Sequence, residues 1–370
     1  MNAFAFFLVI IGAIVVAIGG SHTFIYYTLT HVFALGDAGE YLLIVGLVVL
    51  PAAFIVSTIA AHYWDTFLTR TVYFISGVWL GLVTHLTLFW LAVWCIFGIG
   101  KWGNISIPLP PLIVFTGIAA TLYTLYGAWN ALTPRVTQIR VKIPGLPEAW
   151  RGKTAVQLSD LHLGLFLRDW FLRQVVARVR PFQPDIVFIT GDIFDGTDGD
   201  LQAHLDPLRS LEPRWGTFFI TGNHEVYLGV GRVLDVLKDG PLTVLDDKIV
   251  EVEGVQIVGV SYSKRSLKRD LSEILDRIGF RSDKPSILLY HEPEQVEEMR
   301  KKGISLQLSG HTHKGQMLPF VLLTRLIYGP YHHGLHQIGN YTLYTSSGVG
   351  LWGPTVRTGS KSEIVVIRFE

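Results

Sequence analysis

The sequence predicts an N-terminal α-helical transmembrane bundle followed by an α/β domain, and three observations predict it. Residues 1–133 hold only Arg70 and Lys101 as basic groups and Asp37, Glu40 and Asp65 as acidic ones; the other charges of the 370-residue chain follow Thr133. Beyond that point apolar runs of strand length take turns with stretches of helical periodicity. Several of those runs end in Asp, Asn or His beside a glycine, the place where an α/β sheet carries its sites. The net charge of +1 averages two unlike halves and offers no argument for a nucleic-acid partner.

A helix of about 20 apolar residues spans a bilayer, and four stretches reach that length: 3–20, 41–61, 72–98 and 112–132. Pro51 falls inside the second and predicts a kink, which neighbouring helices can repair. Trp64, Trp90, Trp94, Trp102 and Trp129 lie towards span ends, where aromatic residues line the membrane interfaces. With four spans, Arg70, Arg135, Arg140 and Lys142 share one side and Lys101 takes the other. Positive charge favours the cytoplasm, so the expectation is a multi-pass integral membrane protein with its second domain cytoplasmic. No basic n-region precedes the first apolar run, so that run is expected to stay in the membrane. His85, within the third span, is either a functional group or a neutral imidazole bonded to a neighbouring helix. Cys95 is the only cysteine, which excludes an internal disulfide and a thiolate metal cluster.

After a 1–133 transmembrane region, the second domain is expected over 134–370. Residues 136–143 alternate apolar and polar as a half-exposed strand does. Strands follow at 154–159, 185–190, 217–221, 255–260, 286–290 and 305–309, with a helix over 169–179. Late strands at 341–345 and 363–369 suggest a second sheet packed on the first.

Five motifs stand just past those strand ends: Asp160-Leu161-His162, Gly191-Asp192, Gly222-Asn223-His224-Glu225, His291 and Gly310-His311-Thr312-His313. Carboxylate, amide oxygen and imidazole suit hard-to-borderline divalent cations. Asp192 can bridge two of them with its two oxygens, Asn223 adds a neutral oxygen, and His311 and His313 can reach different ions from one tight loop. Two cations about 4 Å apart activate water and neutralise a phosphoryl group. Without sulfur the set accommodates Mn, Fe, Zn, Co or Mg.

At these residues the chain resembles the calcineurin-like metallophosphoesterase superfamily, over roughly residues 135–370. Within it the chain is similar to the membrane-tethered YkuE/YaeI-like branch. The supporting residues are Gly222-Asn223-His224-Glu225, Gly310-His311-Thr312-His313-Lys314-Gly315-Gln316, the tail Ser347-Gly348-Val349-Gly350, Trp352-Gly353-Pro354 and Arg357. The resemblance implies a four-layer α/β/β/α sandwich. It implies one metal on Asp160, His162, Asp192 and His313, and a second on Asp192, Asn223, His291 and His311. His224 would be the catalytic residue that stabilises the transition state or protonates the leaving oxygen. Phosphoester bonds would be cleaved by a hydroxide activated at a dinuclear metal centre. Asp195, Lys314 and Arg357 would support ligands or meet substrate; Lys314 departs from the glycine more usual in the branch.

Three features bear on partners. Residues 317–328 are unusually apolar for a segment leaving a site loop, and read equally as a core helix or an edge dipping into the membrane interface. The basic run Lys264-Arg265 with Lys268-Arg269 reads as a solvated face or an anionic-headgroup contact, and His332, His333 and His336 as loop or surface residues or as lining the pocket. The expected partners are a phosphoester, lipid-linked or nucleotide-sugar in character, and the bilayer; the sequence sets no oligomeric state. Competing readings are a non-catalytic metal-binding module and the enzyme output of a membrane sensor.

Overall fold

In a computed structural model, residues 3–61, 63–196, 201–238, 240–262 and 269–370 are described; the basic residues 264, 265 and 268 lie outside them. Two compact units form, Met1–Trp129 with Gly353–Val356, and Asn130–Trp352 with Arg357–Glu370. The domain boundary expected at 133/134 thus compares with a division at 129/130 and a tetrapeptide returned to the first unit.

The described residues of the first unit fold into helices α1 (Ala3–Val32), α2 (Asp37–Ala61), α3 (Phe67–Trp102) and α4 (Leu109–Ala131). Among the described residues, α2, α3 and α4 are long and apolar enough to cross a membrane. The span expected over 3–20 falls partly on residues whose side chains lie outside the described set. Helix α3 starts with a reciprocal cap: Thr66 Oγ1 accepts the Thr69 N–H, and Thr69 Oγ1 accepts that of Thr66, which satisfies two otherwise orphan donors. Ile25, Leu47, Val83, Leu86 and Ile113 pack between the helices. Polar bonds add to this: His85 Nδ1 lies 2.8 Å from Thr124 Oγ1, and Trp94 Nε1 donates to Thr28 Oγ1 at 3.1 Å. Trp90 is buried between the helices and donates to the Ile113 carbonyl at 3.2 Å, which gives its indole N–H the acceptor it needs.

The segment Gly353–Val356 packs on α3 inside this unit. Thr355 Oγ1 donates to the Phe74 carbonyl at 3.0 Å, and Tyr73 Oη to that of Gly353 at 3.4 Å. Gly77 and Gly81 provide the room: a Cβ on Gly77 would come within 2.8 Å of Thr355 Oγ1, and one on Gly81 would overlap Val356.

The second unit has strands β1 (Arg135–Val141), β2 (Thr154–Leu158), β3 (Ile186–Ile189), β4 (Thr217–Phe219), β5 (Thr243–Val244) and β6 (Lys248–Val252). Then come β7 (Val255–Val260), β8 (Ser286–Tyr290), β9 (Leu306–Ser309), β10 (Gly334–Ile338), β11 (Tyr341–Thr345) and β12 (Glu363–Phe369). Its helices are α5 (Asp169–Val179), α6 (Leu201–Leu205), α7 (Asn223–Leu228), α8 (Val230–Leu237), α9 (Leu271–Arg277), α10 (Val296–Lys302) and α11 (Phe320–Tyr328). One sheet runs β1-β12-β2-β3-β4-β5 and the other β10-β11-β9-β8-β7-β6.

Burial explains the layering. Ala155, Ile186 and Phe188 of the first sheet meet Ile257, Ile287 and Leu308 of the second in one inner core. Helices α5 and α8 cover the outer face of the first sheet, through Phe171, Val175 and Val233. Helices α9 and α10 cover the second through Leu275 and Met299. The result is the α/β/β/α sandwich. One expectation changes: β12 belongs to the first sheet, parallel to β1 and antiparallel to β2. Six of its seven residues are buried, so it needs a neighbour on both edges and a cover on both faces. Residues 317–328 do not form a core helix, since no residue of α11 is buried.

Candidate metal centre

The parallel strands β2, β3 and β4 of one sheet and β8 and β9 of the other end at the site. Asp160 and His162 follow β2, Asp192 follows β3, and Asn223 and His224 open α7 after β4. His291 follows β8, and His311 and His313 follow β9. Five of these residues, Asp160, His162, Asp192, His311 and His313, sit at φ between +47° and +68°. Non-glycine residues avoid that region unless their surroundings enforce it, and such residues gather at functional sites. The loops can approach this closely only because Gly222 and Gly310 lack side chains. A Cβ on Gly222 would overlap Asp192 Oδ1, and one on Gly310 would overlap Ser159 Oγ and Asp160 Oδ2.

The side chains converge in overlapping groups, one of Asp160, His162 and His313 and one of Asp192, His291 and His311. In one, His162 Nε2 is 3.0 Å from His313 Nε2 and 3.8 Å from Asp192 Oδ2, and His313 Nε2 is 3.4 Å from Asp160 Oδ1. In the other, His291 Nε2 is 3.2 Å from both Asp192 Oδ2 and Asn223 Oδ1, and His311 Nδ1 is 2.9 Å from Asn223 Oδ1. Atoms held about 2.1 Å from one cation lie roughly 3.0 Å apart at right angles and 3.4 Å apart in a tetrahedron. The other separations match that spacing, while His162 to Asp192, at 3.8 Å, is wider. A third overlapping group joins His162, Asp192 and His224.

Neighbouring groups orient the rings. His291 Nδ1 is 2.7 Å from the Thr190 carbonyl, which turns Nε2 towards Asp192. His224 Nδ1 is 3.0 Å from the Asp195 carbonyl, and its backbone N–H donates to Asp192 Oδ1. The Asp195 carboxylate lies 3.5 Å from His162 Nδ1. Arg357, fully buried, donates to the carbonyls of Gly350, Ser347 and Lys361 and places Nη2 3.0 Å from His313 Nδ1. Lys314 is half-buried, its backbone N–H bonded to Thr312 Oγ1. His333 Nε2 lies 3.5 Å from Glu363.

Electrostatics follows from burial and crowding. Burial alone would raise Asp192, but the imidazoles of His291, His162 and His224 hold its carboxyl far below the carboxylate range. Burial would lower His291, yet the adjacent Asp192 carboxylate lifts it to about 10. Burial and the neighbouring His291 push His311 down to about 3, and burial with His162 lowers His224. The lowered imidazoles of His224, His311 and His313 beside the lowered Asp192 carboxyl make a charge pattern that a divalent cation would complete.

Glu225 closes one of the five motifs, but nothing in the sequence gives it work. In the fold it is fully buried, and accepts the N–H groups of Asp192 (2.9 Å), Phe194 (3.2 Å) and Gly222 (2.7 Å). Its carboxylate ties the loop after β3 to the loop after β4. Tyr227, Tyr262 and Tyr328 stand by His224, His291 and His311 at ring separations of 5.4, 6.3 and 6.1 Å. No spacing pattern in the sequence links these three tyrosines.

This fold and this donor set define a metal-dependent phosphoesterase, and comparison with known proteins agrees. The family model of calcineurin-like phosphoesterases matches residues 153–315. The chain is 35% identical over 261 residues to an uncharacterized metallophosphoesterase of Campylobacter jejuni, covering 68% of each chain. It is 30% identical over 283 residues to the uncharacterized metallophosphoesterase YkuE of Bacillus subtilis, covering 68% of this chain and 93% of that one. A zebrafish (Danio rerio) transmembrane protein with metallophosphoesterase domain is 31% identical over 268 residues, 68% of this chain and 61% of that one. The chain spans 58% of a Helicobacter pylori relative. The protein belongs to the calcineurin-like metallophosphoesterases, a family of phosphoester hydrolases.

Proposed function

We propose that this protein is a membrane-anchored phosphohydrolase working with two divalent cations, and that the Asp192 carboxylate, its Oδ2 3.2 Å from His291 Nε2 and 3.8 Å from His162 Nε2, is the observation that carries this reading. Asp160, His162, Asp192 and His313 would hold one ion; Asp192, Asn223, His291 and His311 the other. When bound, such a pair supplies Lewis acidity towards a phosphoryl oxygen and a water acidic enough to attack at neutral pH. The chain's own part is positional. Asp192 links the two donor groups, the Thr190 carbonyl fixes the His291 tautomer, and Arg357 braces the 347–350 turn beside His313 through the carbonyls of Ser347 and Gly350. His224, with Nδ1 occupied by the Asp195 carbonyl, keeps Nε2 for the substrate, where it stabilises the transition state or protonates the leaving oxygen. Asp195 supports His162 and His224 alike.

The membrane helices and the apolar segment after His313 favour a phosphoester carried by a lipid or another amphiphile, and the charge bias around the spans favours a cytoplasmic site. Protein stripped of metal and reloaded with Mn should hydrolyse an aryl phosphomonoester or diester, and Asp192→Ala should abolish both turnover and metal retention. Absence of metal-dependent turnover across a broad phosphoester panel would refute the hydrolase reading. Preference of the solubilised enzyme for soluble nucleotides over every lipid offered would refute the narrower one.

A further inference from the structure

Helix α11 leaves the metal centre and turns its apolar side outward. Leu322, Leu323, Leu326 and Ile327 are 65, 50, 81 and 61% exposed. They form two i, i+4 pairs on adjoining stripes, while Val321, Thr324 and Tyr328 face inward and are only half-buried. The pattern is therefore inverted relative to a helix that packs on its own domain, whose apolar stripe faces the core. Phe320 and Leu318 extend the exposed surface at its N-terminal end. Contiguous apolar surface of this extent on a protein marks a binding face. A nine-residue helix is also too short to persist in water on propensity alone.

We infer that α11 is an interfacial docking helix whose Leu322/Leu323/Leu326/Ile327 face lies in the headgroup–acyl boundary of the bilayer, next to the metal centre. Three observations select lipid as the occupant. The chain already carries helices long and apolar enough to cross a bilayer, and only residues 132–134 separate α4 from β1, so no long linker lets the domain leave the membrane. The inward side of α11 rests on Gly359, where a Cβ would overlap Val321, and its outward leucines and Ile327 stay exposed. Arg325 is the only charged residue in α11 and is exposed. An arginine at this position can keep its head among phosphates while its stem follows the apolar face. Tyr328, in the last turn, stacks edge-on with His311 at 6.1 Å, so the docked helix would hold the site at the depth of a lipid phosphate.

The inference rests on the membrane-anchored reading, and the test separates the two. The full chain, with Cys95→Ser, carries an environment-sensitive fluorophore on Leu326→Cys; a control carries it on Glu298→Cys, exposed on α10. Both are placed in single-copy nanodiscs of phosphatidylethanolamine and phosphatidylglycerol, with or without lipids bearing a nitroxide near the headgroup. Unchanged metal-dependent turnover of a soluble aryl phosphoester certifies the fold of each. The Leu326 probe should show blue-shifted emission and lose most of it to the nitroxide, with the Glu298 probe unaffected. A water-like, unquenched Leu326 probe in well-incorporated protein overturns the docking helix and leaves the anchor standing. A blue-shifted probe that the nitroxide does not reach overturns it in favour of a protein contact, including a second copy when the signal appears only at two chains per disc. Failure to enter nanodiscs overturns both readings.

Discussion

Replacing Glu225 should disconnect two metal-site loops while leaving every expected ligand in place. Its carboxylate accepts three buried N–H groups, from Asp192, Phe194 and Gly222, and each buried donor left unpaired costs about 1–3 kcal/mol. Glu225→Ala therefore forfeits at least about 3 kcal/mol, a large share of the ~5–15 kcal/mol that holds a domain together. For a domain of this size that corresponds to an unfolding temperature lower by roughly 10 °C. Glu225→Gln is the informative companion. One amide oxygen can still serve the Asp192 and Gly222 donors, and the amide nitrogen then faces the Phe194 N–H, so the loss is limited to about 1–3 kcal/mol. Burial, with the adjacent Asp192 carboxylate, already pushes Glu225 up to about 7, so the neutral replacement removes only part of a full charge at neutral pH. The assay pairs intrinsic-fluorescence melting of the detergent-solubilised chain with metal content by elemental mass spectrometry after Mn loading. The expected order is wild type, then Gln, then Ala in both stability and retained metal. An Ala variant that melts and binds metal as wild type does would refute the claim that this carboxylate holds the two loops together.

Two further outcomes are expected. His224→Ala should lower kcat by about 10²–10⁴-fold with metal content intact, because its backbone N–H, not its side chain, makes the bond to Asp192; loss of a metal ion instead would favour the overlapping His162–Asp192–His224 group as a ligand set. Burial would raise Glu363, but His333, the Ser347 N–H and Thr137 hold it at about 2. Its contribution is therefore complete above its unfolded pKa of about 4.5 and is lost as pH falls through about 2. Glu363→Gln should cost on the order of 3 kcal/mol at neutral pH, with the gap to wild type closing between pH 4.5 and 2 in pH-dependent melting; a gap that does not change with pH would show the ionised carboxylate to be unimportant.

How far the sequence could be read depended on whether an element carries its own signal. Strands β2, β3, β8 and β9 are short apolar runs that stop at a carboxylate or imidazole, so composition and punctuation coincide and the residues that cluster could be named in advance. Strand β12 carries the same apolar signal, yet its sheet is a matter of long-range pairing with β1 and β2, which no local pattern encodes. Two-residue β5 is too short to show a period. Glu225 looks from sequence like an ordinary acid in the first turn of a helix; only the folded loops bring three donors to it. Arg357 stands in a recognisable motif, but its contact with His313 spans 44 positions and depends on the turn that buries it. The apolar 317–328 segment was ambiguous because hydrophobicity reports an apolar environment without saying whether protein or lipid supplies it.

The tetrapeptide Gly353–Val356 limits how this protein can be taken apart. It lies in sequence between Trp352 and Arg357, both of the second unit, yet its seat is the groove that Gly77 and Gly81 leave open on α3. A fragment beginning at Asn130 would leave Thr355 and Val356 without that seat, immediately before the buried Arg357 that braces the 347–350 turn. Any variant that divides the chain would therefore have to keep this short segment together with α3.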